Sequence, residues 1–185
     1  MSKALRLIAA AIFGCVAQTT LSEYIRIGGV APDLMIAVLV AITTYCGSYG
    51  GFCTGSVMSM FYDASVGYVL ALNMVGYTFI GWAAPLLRNV FGRLFRRLKH
   101  KSALEMALVC FLLTILREVL YIGYLFLIGG EQNLMTLIRM LLCAAYSAVA
   151  VIPVSYVIKR IMTWHPFKRR KKRDEFADES TTTTR

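Results

Sequence analysis

Three charged side chains lie well away from the ends of two long apolar stretches of the sequence: Arg117 and Glu118 in residues 103–128, and Arg139 in residues 134–158. Charges within a membrane span are costly, so they usually face a protein interior, a cavity or a partner. The two stretches are joined by a short turn, and at 1.5 Å per residue Glu118 and Arg139 differ in depth by only about 6 Å. We therefore predict that Glu118 pairs with Arg139 or Arg117, with Tyr121 on the same polar face. A structural ion pair and a functional site are both open interpretations.

The other polar residues in apolar stretches give weaker signals. Asp63 falls near the end of one stretch, where we expect it to be a water-exposed helix-end residue. Asn73 and Tyr77 are four residues apart on one helical face and are expected to form interhelical hydrogen bonds.

The sequence carries no enzyme motif. It has no HExxH pattern, no phosphate loop and no serine nucleophile with a plausible base. The five cysteines show no CxxC spacing, so they are interpreted as small apolar residues. We predict no enzymatic activity, no cofactor and no metal.

The elements that must position these residues are membrane helices. The 185 residues are 58% apolar and only 16% charged, below the roughly 25% of a soluble domain. Six apolar stretches are separated by glycine-rich turns or basic segments, and we predict an all-α bundle of six transmembrane helices within residues 1–160. The predicted spans are 4–21, 32–45, 51–67, 68–87, 103–128 and 134–158.

The positions of the positive charges predict the topology. With the N-terminus inside, seventeen of the twenty Lys and Arg residues fall on the cytoplasmic side and only Arg26 falls outside. The same balance favours an uncleaved first helix over a secretory leader. The basic segment 88–101 is expected to be a loop with some amphipathic helix, and residues 161–185 a disordered cytoplasmic tail. The net charge of +10 is assigned to anchoring at the membrane lipid, with no nucleic acid as a partner.

Small residues recur every fourth position in the third stretch: Gly47, Gly51, Gly55 and Ser59. Residues four apart share a helical face, and a glycine face lets another helix approach closely. This face is expected to pack inside the bundle or to bind a partner.

Several short motifs follow one another along the chain: Pro32-Asp33-Leu34, Gly51-Phe52, Gly55, Gly67, Gly76-Tyr77 and Gly81. Together with the basic segment and the two last apolar stretches, they resemble the MreD family of bacterial rod-shape-determining membrane proteins. The resemblance covers most of residues 1–160, although Ser59 stands where the family commonly has an aspartate.

The resemblance implies a fold similar to the substrate-binding subunits of energy-coupling-factor vitamin transporters. It further implies a multi-pass protein of the bacterial cytoplasmic membrane that acts in cell elongation and lateral peptidoglycan synthesis. Its partners would be an MreC-like single-span protein and, with it, MreB, RodA and a class B penicillin-binding protein. The alternative is a true transporter subunit that binds a small vitamin in a pocket lined by Arg117, Glu118, Tyr121 and Arg139.

Overall fold

The computed structural model describes residues 3–66, 70–94, 101–129 and 134–163, and this part of the chain is helical. The helices are α1 (Lys3–Val16), α2 (Ser22–Tyr24), α3 (Leu34–Val66), α4 (Leu70–Leu94), α5 (Lys101–Leu127) and α6 (Leu134–Thr163), with a π-helical turn at Ala17–Leu21 between α1 and α2. Four described stretches are long and apolar enough to cross a bilayer: Leu5–Tyr24, Leu34–Ser65, Ala103–Leu127 and Met135–Thr163. The described part of the chain therefore consists of helices and connecting turns, and it has the character of a membrane protein.

The helix α3 folds back on itself at Gly47. The backbone there has φ 70° and ψ −169°, a conformation that L-residues with a Cβ rarely adopt. A Cβ placed on Gly14 of α1 would meet both Val38 and Met58 within 3 Å. In one straight helix those two residues would be about 30 Å apart. The two halves, α3a (residues 34–46) and α3b (residues 48–66), therefore lie side by side.

The half-helix α3a forms the centre of the core. Residues 34–42 are each at most 2% exposed, so more than two consecutive turns of this helix are buried on every side. α3 contacts α1, α4, α5 and α6, and its contact with α4 is the most extensive in the bundle. A helix that is apolar on all sides is buried on all sides, and this property of the sequence places α3a in the middle.

The helices differ in extent from the predicted spans and from the predicted tail. The second and third predicted spans correspond to α3a and α3b, and the turn between them is the single residue Gly47 rather than a five-residue segment. The helix α4 continues past residue 87 to Leu94, so the first half of the predicted basic loop is helix. The helix α6 continues to Thr163, three residues into the predicted tail. The rest of that loop up to residue 100, and residues 164–185 of the tail, lie outside the described residues.

Candidate functional site

The N-terminus of α3 is buried, so its unpaired backbone N–H groups need partners inside the protein. Asp33 caps the helix: its carboxylate Oδ1 accepts a hydrogen bond from the backbone N–H of Ile36 at 3.1 Å. The backbone N–H groups of Leu34 and Met35 donate to the side-chain Oε1 of Gln18, at 2.7 and 3.2 Å. The π-helical turn that follows α1 carries Gln18. The predicted span 32–45 begins at this helix start, but nothing in the sequence indicated that Gln18 completes the cap.

The second oxygen of Asp33 binds two side chains from other helices. Arg117 on α5 donates to Oδ2 at 2.9 Å, and the Tyr77 hydroxyl on α4 donates to the same oxygen at 3.0 Å. The guanidinium of Arg117 also lies over the Tyr77 ring, 5.2 Å from the centroid. The backbone N–H of Asp33 donates to Ser147 Oγ of α6 at 2.8 Å. Asp33 therefore joins α3 to α4, α5 and α6 at one depth in the bundle.

The predicted ion pair forms with the nearer arginine. Glu118 Oε1 accepts from Arg117 at 3.1 Å, so Arg117 lies between the carboxylates of Glu118 and Asp33. The Asp33 side chain is 2% exposed, whereas those of Arg117 and Glu118 are 24% and 21% exposed. When all three groups are ionised, the two carboxylates and the one guanidinium give the cluster a net charge of −1.

The other two residues of the predicted polar cluster form no hydrogen bond with its charged groups among the described residues. Arg139 is exposed on α6 and forms no ion pair with any residue that the structure describes. Tyr121 is 43% exposed and lies beside Arg117, where the two residues line a cavity of about 10 Å³ together with Asn73, Gly76 and Leu120. A cavity of that size holds about one water molecule.

A second buried polar pair was not expected. Asp63 is 0% exposed rather than open to water, which overturns the expectation from the sequence. Its Oδ1 accepts a hydrogen bond from Asn73 Nδ2 at 2.8 Å, while its Oδ2 is buried without a hydrogen-bond partner among the described residues. Asn73 and Tyr77 both bond across helices, as their spacing predicted, and their partners are the carboxylates of Asp63 and Asp33.

The small residues of α3 do not form one continuous face. Gly51 and Gly55 pack against α4, where an added Cβ would meet the backbone carbonyls of Gly81 and Tyr77 respectively. Ser59 is 0% exposed and also lies inside the bundle. Gly47 is the exposed fold-back residue, with open space around it. The close crossing of α3b and α4 therefore occupies the Gly51–Gly55 face within the chain.

Within the described residues, no group of three or more His, Cys, Asp or Glu side chains is arranged to hold a metal ion. The five cysteines are free thiols. The chemistry that this arrangement supports is electrostatic: a buried helix terminus, a shared carboxylate and an arginine that connects two helices.

Comparisons with protein-family models, with curated proteins and with solved structures found no match to this chain.

Proposed function

We propose that this chain is a non-enzymatic scaffold of the bacterial cytoplasmic membrane, of the MreD type, that organises the cell-elongation machinery through an MreC-like single-span partner. In this role it would regulate cell shape and lateral peptidoglycan synthesis without transforming or carrying a small molecule. The resemblance in the order of motifs over residues 1–160 motivates the family assignment.

The proposed topology has six spans with both termini in the cytoplasm. The fold-back at Gly47 supports the common side of both termini, because α3a and α3b lie side by side and return the chain to the side from which it entered. The helix α4 is 25 residues long and would supply a further crossing, with its Arg88 and Arg93 at the cytoplasmic end. Arg6 near the start of α1 donates to the carbonyl oxygen of Met162 near the end of α6, at 2.8 Å, which supports a common side for both termini.

The observation that carries the scaffold proposal is the closure of the polar cluster. Arg117 is bound by Asp33 and Glu118 and covered by Tyr77, and the cavity beside it has about 10 Å³. Sites for small organic ligands have volumes of about 300–1,000 Å³. A vitamin could therefore bind at this cluster only if α4 and α5 separated and the ion pairs broke, which argues against the transporter alternative.

Among the four long apolar stretches, those of α5 and α6 are the least buried. Only 22% of the most apolar part of each is buried, against 28% for the stretch that includes α1 and 61% for α3. The exposed side of α6 carries a stripe at the three- and four-residue spacing that packs helices side by side. Its members are Ile138, Leu142, Ala145, Val149, Ile152 and Tyr156. We assign this stripe, rather than the occupied Gly51–Gly55 face, to the single-span partner.

The test is a pull-down of the tagged full chain in gentle detergent, with the co-purifying membrane proteins identified by mass spectrometry. The expected result is a single-span MreC-like protein together with wall synthases. Val149→Trp should reduce the affinity for the partner at least about fivefold, because a bulky side chain in a packed seam costs roughly 1–3 kcal/mol. The matched control is Val16→Trp, since Val16 on α1 is 53% exposed and Val149 is 65% exposed.

Three outcomes would contradict the proposal. Recovery of a transporter ATPase pair or of a bound vitamin would favour the transporter alternative. Equal loss of the partner in both variants would remove the assignment of the α6 stripe. Unchanged width and growth of rod-shaped cells after depletion of the protein would count against any role in elongation.

A further inference from the structure

The half-helix α3a is shorter than its neighbour α3b. Residues 34–46 of α3a rise by about 20 Å, whereas residues 48–66 of α3b rise by about 29 Å. Both half-helices start from Gly47 and lie side by side, so α3b continues about 9 Å beyond the end of α3a that follows Asp33. That end of α3a is therefore set back from the face of the bundle that lies opposite the chain termini.

The helix α6 also extends past Asp33. The backbone N–H of Asp33 donates to Ser147 Oγ, which places Ser147 beside the start of α3a. The helix α6 begins at Leu134, thirteen residues earlier, and its first part therefore covers about 20 Å on the way from the same face to Ser147. The bundle thus has a recess at this face, with Asp33 at the floor.

Residues 25–32 enter this recess as a tight turn. The backbone groups of Ile27 and Val30 bond to each other in both directions, at 3.0 Å each. Gly28 and Gly29 lie between them with φ values of 60° and 80°, which glycine adopts without a steric cost. The turn is exposed, and three residues after Val30 the chain reaches Asp33, which is 3% exposed. The segment therefore leads directly from the solvent to the floor of the recess.

Two side chains of α6 hold the segment on either side of the turn. The Tyr146 hydroxyl donates to the carbonyl oxygen of Ile25 at 2.7 Å, and the Cys143 thiol donates to that of Ala31 at 3.3 Å. Cys143 and Tyr146 are three residues apart and share one face of α6. Cys143 lies about 14 Å along α6 from Leu134, so the segment is attached well below the outer end of that helix.

The polar groups beneath residues 25–32 are screened from solvent. Ser147 is 0% exposed, and Asp33 is exposed by only 3% although it lies at the floor of a recess. Water at the floor would raise the local dielectric constant and weaken the attraction between Asp33 and Arg117. The segment that lies over these groups is the part of the fold that can keep them dry from this face.

We propose that residues 25–32 are a re-entrant plug that seals the Asp33–Arg117 cluster from water at the face opposite the termini. The plug keeps the ion pair in a dry environment, where it holds α5 against α3. This role is internal to the chain and does not depend on the partner assigned to the α6 stripe.

Cysteine labelling in lipid nanodiscs tests the seal, because water reaches both faces of the protein there. Ser147→Cys places a thiol beneath the plug, and Ile27→Cys places one on its exposed turn. Each full-chain variant is treated with a charged, water-soluble maleimide, and mass spectrometry distinguishes the new site from the five native cysteines. Ser147→Cys should react at least about tenfold more slowly than Ile27→Cys, since a buried thiol reacts only when the structure opens locally.

Tyr146→Phe releases one end of the plug. It should accelerate the labelling of Ser147→Cys about fivefold, the effect of one lost hydrogen bond on a local opening equilibrium. The matched control is Tyr156→Phe, because Tyr156 is on the same helix and is 74% exposed. Val151→Cys reports general loosening, because Val151 is 0% exposed and lies four residues deeper than Ser147 on the same face of α6. Its labelling rate should not change.

Hydrogen exchange gives a second measurement that needs no added cysteine. The backbone N–H groups of Leu34 and Met35 donate to Gln18 beneath the plug. Their exchange in nanodiscs, followed by mass spectrometry, should also be about fivefold faster in Tyr146→Phe and unchanged in Tyr156→Phe.

Three outcomes would overturn the proposal. Equal labelling rates of Ser147→Cys and Ile27→Cys would show that water already reaches the floor of the recess. Labelling and exchange that both stay unchanged in Tyr146→Phe would show that the segment does not cover the cluster. Equal acceleration of Val151→Cys would assign the effect to loosening of the whole bundle rather than to the plug.

Discussion

Replacing Arg117 with methionine tests the central cluster, because methionine keeps most of the length of the side chain and removes its charge. In the variant, the buried carboxylate of Asp33 retains the hydrogen bonds from Tyr77 and Ile36 but loses its counter-ion. Removal of one partner from a buried ion pair typically costs 3–5 kcal/mol, since the other charge is left uncompensated. The Arg117 side chain is 24% exposed, so solvent screening reduces this figure and we expect a loss of about 2–3 kcal/mol.

The assay is reversible unfolding in mixed micelles with increasing SDS, followed by far-UV circular dichroism. The second variant, Asp33→Asn with Arg117→Met, removes both charges while the asparagine can still cap α3. Its stability should recover by about 1–2 kcal/mol relative to the sum of the two single changes, as contacting residues couple by that amount. Arg139→Met is the control, because Arg139 is exposed and outside the cluster. A loss below about 0.5 kcal/mol for Arg117→Met, or a similar loss for Arg139→Met, would refute the assignment of Arg117 as the residue that ties α5 to α3.

Two further predictions concern the contact between α3b and α4. Gly51→Ala should destabilise the bundle by about 1–3 kcal/mol in the same SDS assay, because the added Cβ would collide with the backbone carbonyl of Gly81. Gly123→Ala is the control and should be neutral, because its Cβ would meet open space. Equal effects of the two changes would contradict the close crossing of α3b and α4. Asp63→Asn should leave stability unchanged or raise it by about 1 kcal/mol, since it removes a buried charge whose Oδ2 has no hydrogen-bond partner among the described residues. A loss of more than about 1 kcal/mol in Asp63→Asn would show instead that the ionised carboxylate is needed.

The sequence predicted the local features of this bundle well. The predicted span that begins at residue 32 agrees with the start of α3, where proline and aspartate suit the first turn and the positive end of a helix dipole. The break between the predicted spans 32–45 and 51–67 indicated a turn, and the structure places the reversal at Gly47. The long apolar stretches 103–128 and 134–158 predicted the two long helices α5 and α6. Each of these features is local, because it depends on sterics and hydrogen bonding between residues close in sequence.

The sequence could not predict which distant residues meet. Asp33 and Arg117 are 84 positions apart, and their contact depends on how far the segment before α3 enters the bundle. That segment is fixed from α6, where the Tyr146 hydroxyl donates to the carbonyl oxygen of Ile25 at 2.7 Å and the Cys143 thiol donates to that of Ala31 at 3.3 Å. Hydropathy places such a segment at the membrane surface because it contains charges and glycines. Side-chain contacts with α6 decide its depth instead.

The expectation for Asp63 was wrong for a related reason. A carboxylate near the end of an apolar stretch usually meets water, and periodicity within α3b alone gives no reason to bury it. The structure places Asn73 of α4 against it, so the donor that makes burial tolerable comes from the next helix. The extension of α4 beyond residue 87 has a simpler cause. Arginine and leucine favour helix, and a helix does not have to end where the hydrocarbon core ends.

The central cluster also bears on the proposed scaffold role. Between membrane helices there is little hydrophobic driving force, so packing and interhelical hydrogen bonds must fix their positions. Here Gln18, Asp33, Tyr77, Arg117 and Ser147 come from five parts of the chain and meet at the N-terminus of α3. If the cluster opened for a ligand, the backbone N–H groups at the start of α3 and the carboxylates of Asp33 and Glu118 would lose their hydrogen-bond partners together. A protein held together in this way presents a fixed outer surface, which is the property that a docking partner requires and that a ligand carrier must give up in order to open.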